Sequence, residues 1–269
     1  MDAKLAPARD ASAAGWVIAG VRDFDHTVGS IVPTCFEAYS RVFHPASRCD
    51  GETVRWSEVA AAYGRVMHPI AEWGSLIGRE PGQTRSPEDI WDDEPDTGSL
   101  DDEPRAALCD VLAAYTSSPE RCWCGVWEGH DTPRVMVLTP RGTDRAERQR
   151  LKREAEEPLV QGDRARREAP RFVLPERPMN LLTGPLAAIA RPGTLDEFAL
   201  PSRSPNIWWP DDRAWCVASE IDLMATYVGG TAECVAAISA ADGLEALPAS
   251  VDQLVTCDSD TINPLPGSG

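Results

Sequence analysis

Prolines end the predicted helices of this chain at short intervals, and this limits the folds that are open to it. The residue before a proline avoids the α-helical region, so helices are expected to stop at Pro45, Pro69, Pro119 and Pro192. Parallel strands need a crossover connection of about a dozen residues or more, usually a helix. Few predicted strands are separated by a helix of full length. The sequence therefore predicts an α+β fold, with a mixed or mainly antiparallel sheet and helices packed on one face.

Hydrophobic periodicity and chain breakers predict the individual elements. Strands are predicted where β-branched and aromatic residues dominate or alternate, at 15–24, 121–129, 133–140, 171–175, 179–186 and 214–223. Helices are predicted at 33–45, 55–69, 105–119, 186–193 and 231–243. Ser57 is the expected N-cap of the second of these helices, and Thr231 lies near the start of the last.

A single domain is expected over residues 15–250, with two charged interruptions. Residues 86–104 hold nine acidic side chains and no basic one, which predicts a solvated loop. Residues 141–171 hold ten basic and seven acidic side chains with almost no apolar stripe. This composition predicts a solvated helix with i,i+4 ion pairs, or a mobile insertion. Residues 1–14 and 257–269 are expected to be flexible tails.

Charge and cysteine spacing exclude several classes of partner. The formal net charge is −17, which disfavours nucleic acids and anionic membranes as partners. The apolar run at 16–21 is too short for a signal segment or a membrane span, so a cytoplasmic location is expected. In that location the eight cysteines are expected to be reduced thiols instead of a disulfide framework. They form no CxxC pair, which disfavours a structural zinc site. Nucleotide binding is not supported, because GxGxxG and the Walker lysine are both missing. No cofactor is predicted.

Four motifs carry a resemblance to known sequences. They are FEAYSRVFHPA at 36–46, RCWCGVWEG at 121–129, LLTGPL at 181–186 and SPNIWWPDDRAWCVASEIDLMATYVGG at 204–230. In this order they resemble a group of uncharacterised cytosolic actinobacterial proteins. The likeness covers Trp16 to Pro248. It implies a single intact domain and no activity, so it assigns a catalytic role to no residue.

The tryptophan-rich turn at 207–215 is the preferred candidate for a binding site. Trp208 and Trp209 are adjacent in a predicted strand, so they point to opposite faces, and one of them is expected to face outward or into a second layer. Tryptophan and arginine dominate the hot spots of protein interfaces. The candidate surface consists of Trp208, Trp209, Asp211, Asp212, Arg213 and Trp215. The sequence therefore favours an acidic cytosolic binding module with a protein partner, whose oligomeric state stays open.

A metal-assisted hydrolase, or another enzyme, is the alternative hypothesis. His44 and His68 each precede a proline in the last predicted helical turn, where a histidine can equally interact with the helix dipole. Asp25 and His26 follow a predicted strand and are candidate ligands or acid–base groups. Turns also favour aspartate for local hydrogen bonds, so the same residues have a purely structural interpretation.

Two further features leave chemical options open. Glu220 and Asp222 share a strand face and form a candidate carboxylate pair, although solvent-facing alternation is the favoured explanation. Cys122 and Cys124 share the opposite face from Trp123 and are expected to be inert core thiols. A small-ligand-binding protein, with a pocket near the tryptophan turn, is the third hypothesis.

Overall fold

The computed structural model describes residues 3–133 and 136–263. Its strands are β1 (Ala6–Pro7), β2 (Ala38–Phe43), β3 (Ala46–Ser47), β4 (Thr53–Val54), β5 (Cys122–Trp127), β6 (Arg171–Leu174), β7 (Arg177–Gly184), β8 (Ile207–Pro210), β9 (Cys216–Ser219), β10 (Ala225–Gly230) and β11 (Ala246–Ala249). Its helices are α1 (Gly15–Gly20), α2 (Trp56–Ala62), α3 (Trp73–Ile77), α4 (Asp102–Ala113), α5 (Arg145–Glu168), α6 (Leu186–Ala190) and α7 (Ala232–Ser239).

The main element of the described residues is a nine-stranded sheet. Its strand order is β1-β7-β5-β8-β9-β10-β2-β11, and β6 pairs with the remaining part of β7. All strand pairings between the described residues of this sheet are antiparallel. The predicted α+β fold with a mainly antiparallel sheet is therefore confirmed.

The alternation of side chains along β5 and β8 creates two core layers. One layer contains Cys122, Cys124 and Trp208, and is covered by α4, α6 and α7. The opposite layer contains Trp209 and receives Trp123 from the other face of β5, and α1 contributes Val17 to it. Cys122 and Cys124 are thus buried on the face opposite Trp123, as the sequence predicts.

A third apolar cluster lies beside the edge of the sheet and contains three buried tryptophans. Trp56 and Trp73 pack with ring centres 5.3 Å apart, and Trp73 and Trp91 with centres 5.0 Å apart. Trp91 belongs to the acidic segment, which the sequence predicts to be a solvated loop. Its neighbour Asp89 forms an ion pair with Arg79 at 2.5 Å. The first third of the acidic segment is therefore fixed to the body by an apolar and an ionic contact.

The first two predicted elements have the opposite secondary structure. Residues 15–24 begin as helix α1 instead of a strand, and 33–45 contain strand β2 instead of a helix. β2 is paired on both sides, with β10 and β11, and five of its six residues are buried. The sequence of β2, AYSRVF, has Ser40 and Arg41 among its apolar residues, so it shows neither the strict alternation nor the unbroken apolar run that indicates a strand. Long-range pairing decides the outcome here.

Several predicted elements differ from the structure in extent. The helix predicted at 55–69 ends at Ala62, and its N-cap is Arg55 instead of Ser57. Thr231 caps α7 as expected, because its side chain accepts a hydrogen bond from the Cys234 amide. The strand predicted at 133–140 falls partly outside the described residues, and 136–140 have no regular structure.

The charged insertion forms the long helix α5. It carries i,i+4 ion pairs between Arg150 and Glu154 at 2.9 Å, and between Arg164 and Glu168 at 2.7 Å. Arg166 is fully buried and joins the C-terminal half of the helix to the body by donating to the carbonyl of His130 at 3.0 Å. The helix therefore lies on the body through its last turns.

The segments expected to be flexible tails are packed in their described parts. Leu5 and Ala8 are buried, and β1 pairs with β7. Asp260 and Asn263 are also buried, and the Asn263 side chain accepts from the Val66 amide at 2.9 Å. Within 3–14 and 257–263, these contacts correct the expectation of tails free of the body.

Candidate functional site

Trp208 and Trp209 are both about 99% buried, with 1% of each residue exposed. Trp208 packs edge-on against Trp215, with ring centres 5.4 Å apart, in the layer beneath the helices. Trp209 packs against Trp16 in the opposite layer, at 6.0 Å. The adjacent tryptophans thus enter two core layers, the second of the two options that their spacing allows. Neither ring is open to solvent, so these two residues do not form the aromatic recognition surface that the sequence favoured.

The polar residues of the tryptophan turn make local structural contacts. Asp211 accepts a hydrogen bond from the indole of Trp123 at 2.9 Å, and Asp212 accepts from the Ser117 amide at 2.6 Å. These contacts close the turn against the end of α4 and the start of β5. Arg213 adopts a positive φ of 58°, and its guanidinium lies 5.7 Å from the Trp16 ring centre. Trp215 is fully buried, and its indole donates to the Leu112 carbonyl at 3.1 Å.

His44 is a structural histidine at the end of β2. Its ring is fully buried, with Nδ1 2.6 Å from the Asp96 carbonyl and Nε2 2.8 Å from the Thr226 hydroxyl. A carbonyl can only accept, so Nδ1 carries the proton and Nε2 accepts from the hydroxyl. Burial lowers the pKa of His44 to about 4. Both nitrogens are therefore occupied, and neither is open to a metal or a substrate.

His68 belongs to a separate buried network, in an irregular segment after α2. Its Nε2 lies 3.0 Å from Asp260 Oδ1 and 3.0 Å from the Asn263 side-chain amide. Burial raises the pKa of the neighbouring Glu72, which pairs with Arg41 at 3.0 Å. His44 and His68 share no hydrogen-bond partner, and neither lies in the last turn of a helix, contrary to the sequence prediction.

The candidate histidines, acidic residues and cysteines provide no site for metal or thiol chemistry among the described residues. Among residues 3–133 and 136–263, no three His, Cys, Asp or Glu side chains are arranged to hold a metal ion. Burial raises the pKa of Cys122 to about 12 and raises that of Cys124 well above its ordinary value, which makes both thiols poor nucleophiles. The expectation of inert core thiols at these positions is consistent with this burial.

The remaining candidates meet in one groove on the surface of the protein. We call it the Phe24 groove; it has a volume of about 300 Å³ and is lined by Phe24, His26, Ser30, Ile31, Glu220, Asp222, Leu223, Val255, Thr256 and Cys257. A smaller hollow of about 30 Å³ continues it toward Arg177 and the β6–β7 turn. Three predicted candidates, His26, Glu220 and Asp222, thus come together, although His26 lies far from the other two in sequence.

Three chain segments build the groove. The segment after β11 runs antiparallel to the one after α1, with Leu254 paired to Thr27, and the Val255 amide donates to the His26 carbonyl at 3.0 Å. The β9–β10 turn supplies Glu220 and Asp222 and is held by Gly98, whose amide donates to Leu223 at 2.9 Å. His26 has a positive φ of 59°, which is uncommon outside glycine and directs the chain around the end of the groove.

Asp25, the candidate next to His26 in sequence, stabilises the turn in which it lies. Its carboxylate accepts from the Thr27 hydroxyl at 2.6 Å and from the Thr27 amide at 3.0 Å. The hydroxyl contact is the main reason that the pKa of Asp25 is lowered. This is the turn-stabilising role that aspartate commonly has, and it leaves Asp25 outside the groove lining.

Arg177 ties the two carboxylates together at one end of the groove. Its Nε donates to Glu220 at 2.7 Å and its Nη2 to Asp222 at 3.2 Å. The guanidinium carbon lies 5.5 Å from the Phe24 ring centre, within cation–π distance. Phe24 and His26 pack edge to face at 4.9 Å. The sequence analysis did not identify Phe24, Arg177 or residues 255–257 as parts of a site. The one available signal was the position of a phenylalanine between two aspartates, Asp23 and Asp25.

Two other hollows differ in chemistry. One, of about 370 Å³ between α4 and α6, has mostly apolar walls with Asp110 and Glu120 at its edge. The other, of about 510 Å³, includes His130 and Arg203, but the His130 ring is 3.1 Å from the Asn206 side chain. The Phe24 groove alone among these three gathers several of the predicted site residues.

Among the described residues, no helix combines the length and the apolar character needed to cross a membrane. Comparison of the chain with family models, with curated proteins and with solved structures finds no match.

Proposed function

We propose that this protein binds a small ligand in the Phe24 groove. The observation that carries the proposal is the composition of the groove: apolar walls from Phe24, Ile31, Leu223 and Val255, with His26, Glu220 and Asp222 at the rim. Small-molecule sites are concave and mostly apolar, with a few polar groups that fix orientation, and begin at about 300 Å³. The groove meets each of these conditions.

Exposure of an aromatic ring in the groove supports the same proposal. Phe24 is 37% exposed, whereas all three tryptophans of the 207–215 turn are at most 1% exposed. Burying apolar area contributes roughly 25 cal/mol per Å². A ligand that covers Phe24 therefore gains more from aromatic contact than any partner can gain at the tryptophan turn. This is why the groove replaces that turn as the proposed binding site.

The test uses three probes with one ring and different heads: phenethyl alcohol, phenethylamine and 3-phenylpropionate. Each is titrated into the isotopically labelled full chain, and amide shifts are followed by NMR. We expect at least one probe to perturb amides of residues 24–31, 220–223 and 254–257. Thr256→Trp, which places a bulky ring on the groove wall, is expected to abolish this response.

The control is Val160→Trp, which adds the same ring at an exposed position of α5. This variant is expected to respond as the parent chain does. If none of the three probes shifts the groove amides at millimolar concentration, the small-ligand proposal is wrong. If Thr256→Trp binds as well as the parent, the ligand lies elsewhere and the assignment of the groove is wrong.

A further inference from the structure

We infer that the ligand of the Phe24 groove is an organic cation, an amine or guanidinium attached to an apolar body. This inference rests on the proposed function and names the class of ligand. It has three independent supports: the local charge, the aromatic lining, and the way the groove already holds a cationic group of this chain.

The local charge around the groove is strongly negative. The three segments that form it, 22–31, 220–223 and 252–258, contain six acidic residues and one arginine, and two of the acidic residues, Glu220 and Asp222, line the groove itself. Arg177 is the second cation, and it is fully engaged with Glu220 and Asp222. Arg22 is likewise engaged, at 2.7 Å from Asp252. No arginine or lysine lines the groove among the described residues, whereas Glu220 and Asp222 do, so the local charge disfavours an anionic ligand.

The lining also suits a cation that carries apolar surface. Phe24 presents an exposed ring, and Ile31, Leu223 and Val255 continue the apolar wall. The side chain of Asp222 is 75% exposed at the rim, so one of its carboxylate oxygens faces solvent while the other is 3.2 Å from Arg177. A ligand of this kind would place its apolar body against the apolar wall and its cationic head near the carboxylate of Asp222.

Arg177 shows within the molecule how these groups hold a cation. Its guanidinium is placed between the Phe24 ring, at 5.5 Å, and the carboxylate of Glu220, at 2.7 Å. Aromatic faces attract cations through their quadrupole, and a nearby carboxylate adds direct charge attraction. A ligand that brings its own cation to the exposed part of the Phe24 ring and to the carboxylate of Asp222 would repeat this pair of contacts.

The decisive comparison is phenethylamine against phenethyl alcohol, which share their ring and linker and differ in charge. Dissociation constants are measured by NMR titration at pH 7 and low ionic strength. We expect the amine to bind at least about fivefold more tightly than the alcohol, as for a unit charge at ~4 Å in a well-hydrated site. The advantage is expected to fall as salt is raised toward 0.5 M, because exposed charges are screened.

A pair of variants localises the effect. Asp222→Asn is expected to remove most of the advantage of the amine and to leave the affinity for the alcohol unchanged. Asp242→Asn makes the same change in charge at an exposed position after α7 and is expected to leave both affinities as they are. A loss that is equal in the two variants would show a general field effect and would overturn the assignment to Asp222.

The outcomes separate this inference from the proposal on which it rests. Equal affinities for the amine and the alcohol at the groove would leave a small-ligand protein but overturn the cationic class. Tighter binding of 3-phenylpropionate than of phenethylamine would do the same. If no probe binds at the groove, both the inference and the proposed function are wrong.

Discussion

The guanidinium of Arg177 lies between the ring of Phe24 and the carboxylate of Glu220, at 5.5 Å from the ring centre and 2.7 Å from the carboxylate. This arrangement neutralises part of the negative charge at the end of the groove. It follows that the arginine competes with any cationic ligand for the same carboxylates. Removing its charge should therefore favour the ligand.

Arg177→Gln is expected to raise the affinity for phenethylamine by about two- to fivefold, since a partly exposed ion pair of this kind is worth up to ~1 kcal/mol. Titration at low ionic strength measures this change. Arg171→Gln is the matched control, because Arg171 pairs with Glu128 outside the groove lining. A fall in affinity in Arg177→Gln would mean that the arginine positions the carboxylates instead of competing for them.

Trp208→Ala and Trp209→Ala should both destabilise the fold strongly. Each ring fills a different core layer, and replacing a buried tryptophan by alanine costs about 3–5 kcal/mol. Urea unfolding followed by circular dichroism gives the free energies. Val160→Ala, at an exposed position, should change stability by no more than about 0.5 kcal/mol. A small effect in either tryptophan variant would restore the possibility of a solvent-facing ring there.

The adjacent tryptophans illustrate what the sequence can predict. Strand geometry requires Trp208 and Trp209 to point to opposite faces, and this local rule holds in the structure. Whether the second face meets solvent depends on α1 and Trp16, which lie almost two hundred residues earlier. The periodicity of one segment carries no information about what covers it. Local alternation was therefore predictable, and burial was not.

Strand β2 and the Phe24 groove show the same limit in different ways. Residues 38–43 form a strand because β10 and β11 pair with their two edges. The local sequence pattern does not predict these long-range pairings. The groove was predictable residue by residue at His26, Glu220 and Asp222, but not as one site. Its assembly depends on hydrogen bonds between segments such as that from Val255 to His26.

Gly98 should be irreplaceable for the shape of the groove. It has a φ of +69°, and an added Cβ would lie 2.6 Å from the Cα of Ile221, between the two carboxylates of the β9–β10 turn. Gly98→Ala is expected to cost about 2–5 kcal/mol, from left-handed strain and from overpacking together. Binding of phenethylamine should weaken as well, because the turn must move.

Gly51 supplies the control for Gly98. It has a φ of +87°, but an added Cβ would meet no atom within 4 Å. Gly51→Ala therefore carries the backbone strain alone, about 1–2 kcal/mol, and should leave phenethylamine binding unchanged. Equal losses of stability in the two variants would show that contact with Ile221 does not matter. Both are measured by urea unfolding and NMR titration.

His44 should make the fold sensitive to mild acid. Its pKa is about 4 in the folded protein against an ordinary value of 6.5, because burial disfavours the imidazolium. Between these two values the unfolded chain binds a proton that the folded chain excludes, so stability falls as the pH falls. The contribution from this residue is about 2 kcal/mol between pH 7 and pH 5.

His44→Gln tests this linkage, because glutamine can still donate to the Asp96 carbonyl but does not titrate. The variant should be less stable than the parent at pH 7, since the fit to Thr226 is lost. Its further loss between pH 7 and pH 5 should nevertheless be smaller than that of the parent by about 2 kcal/mol. Urea unfolding at the two pH values gives both differences. If the parent and the variant lose the same amount on acidification, the buried ring is not the group that senses the pH, and the acid sensitivity belongs to the carboxylates.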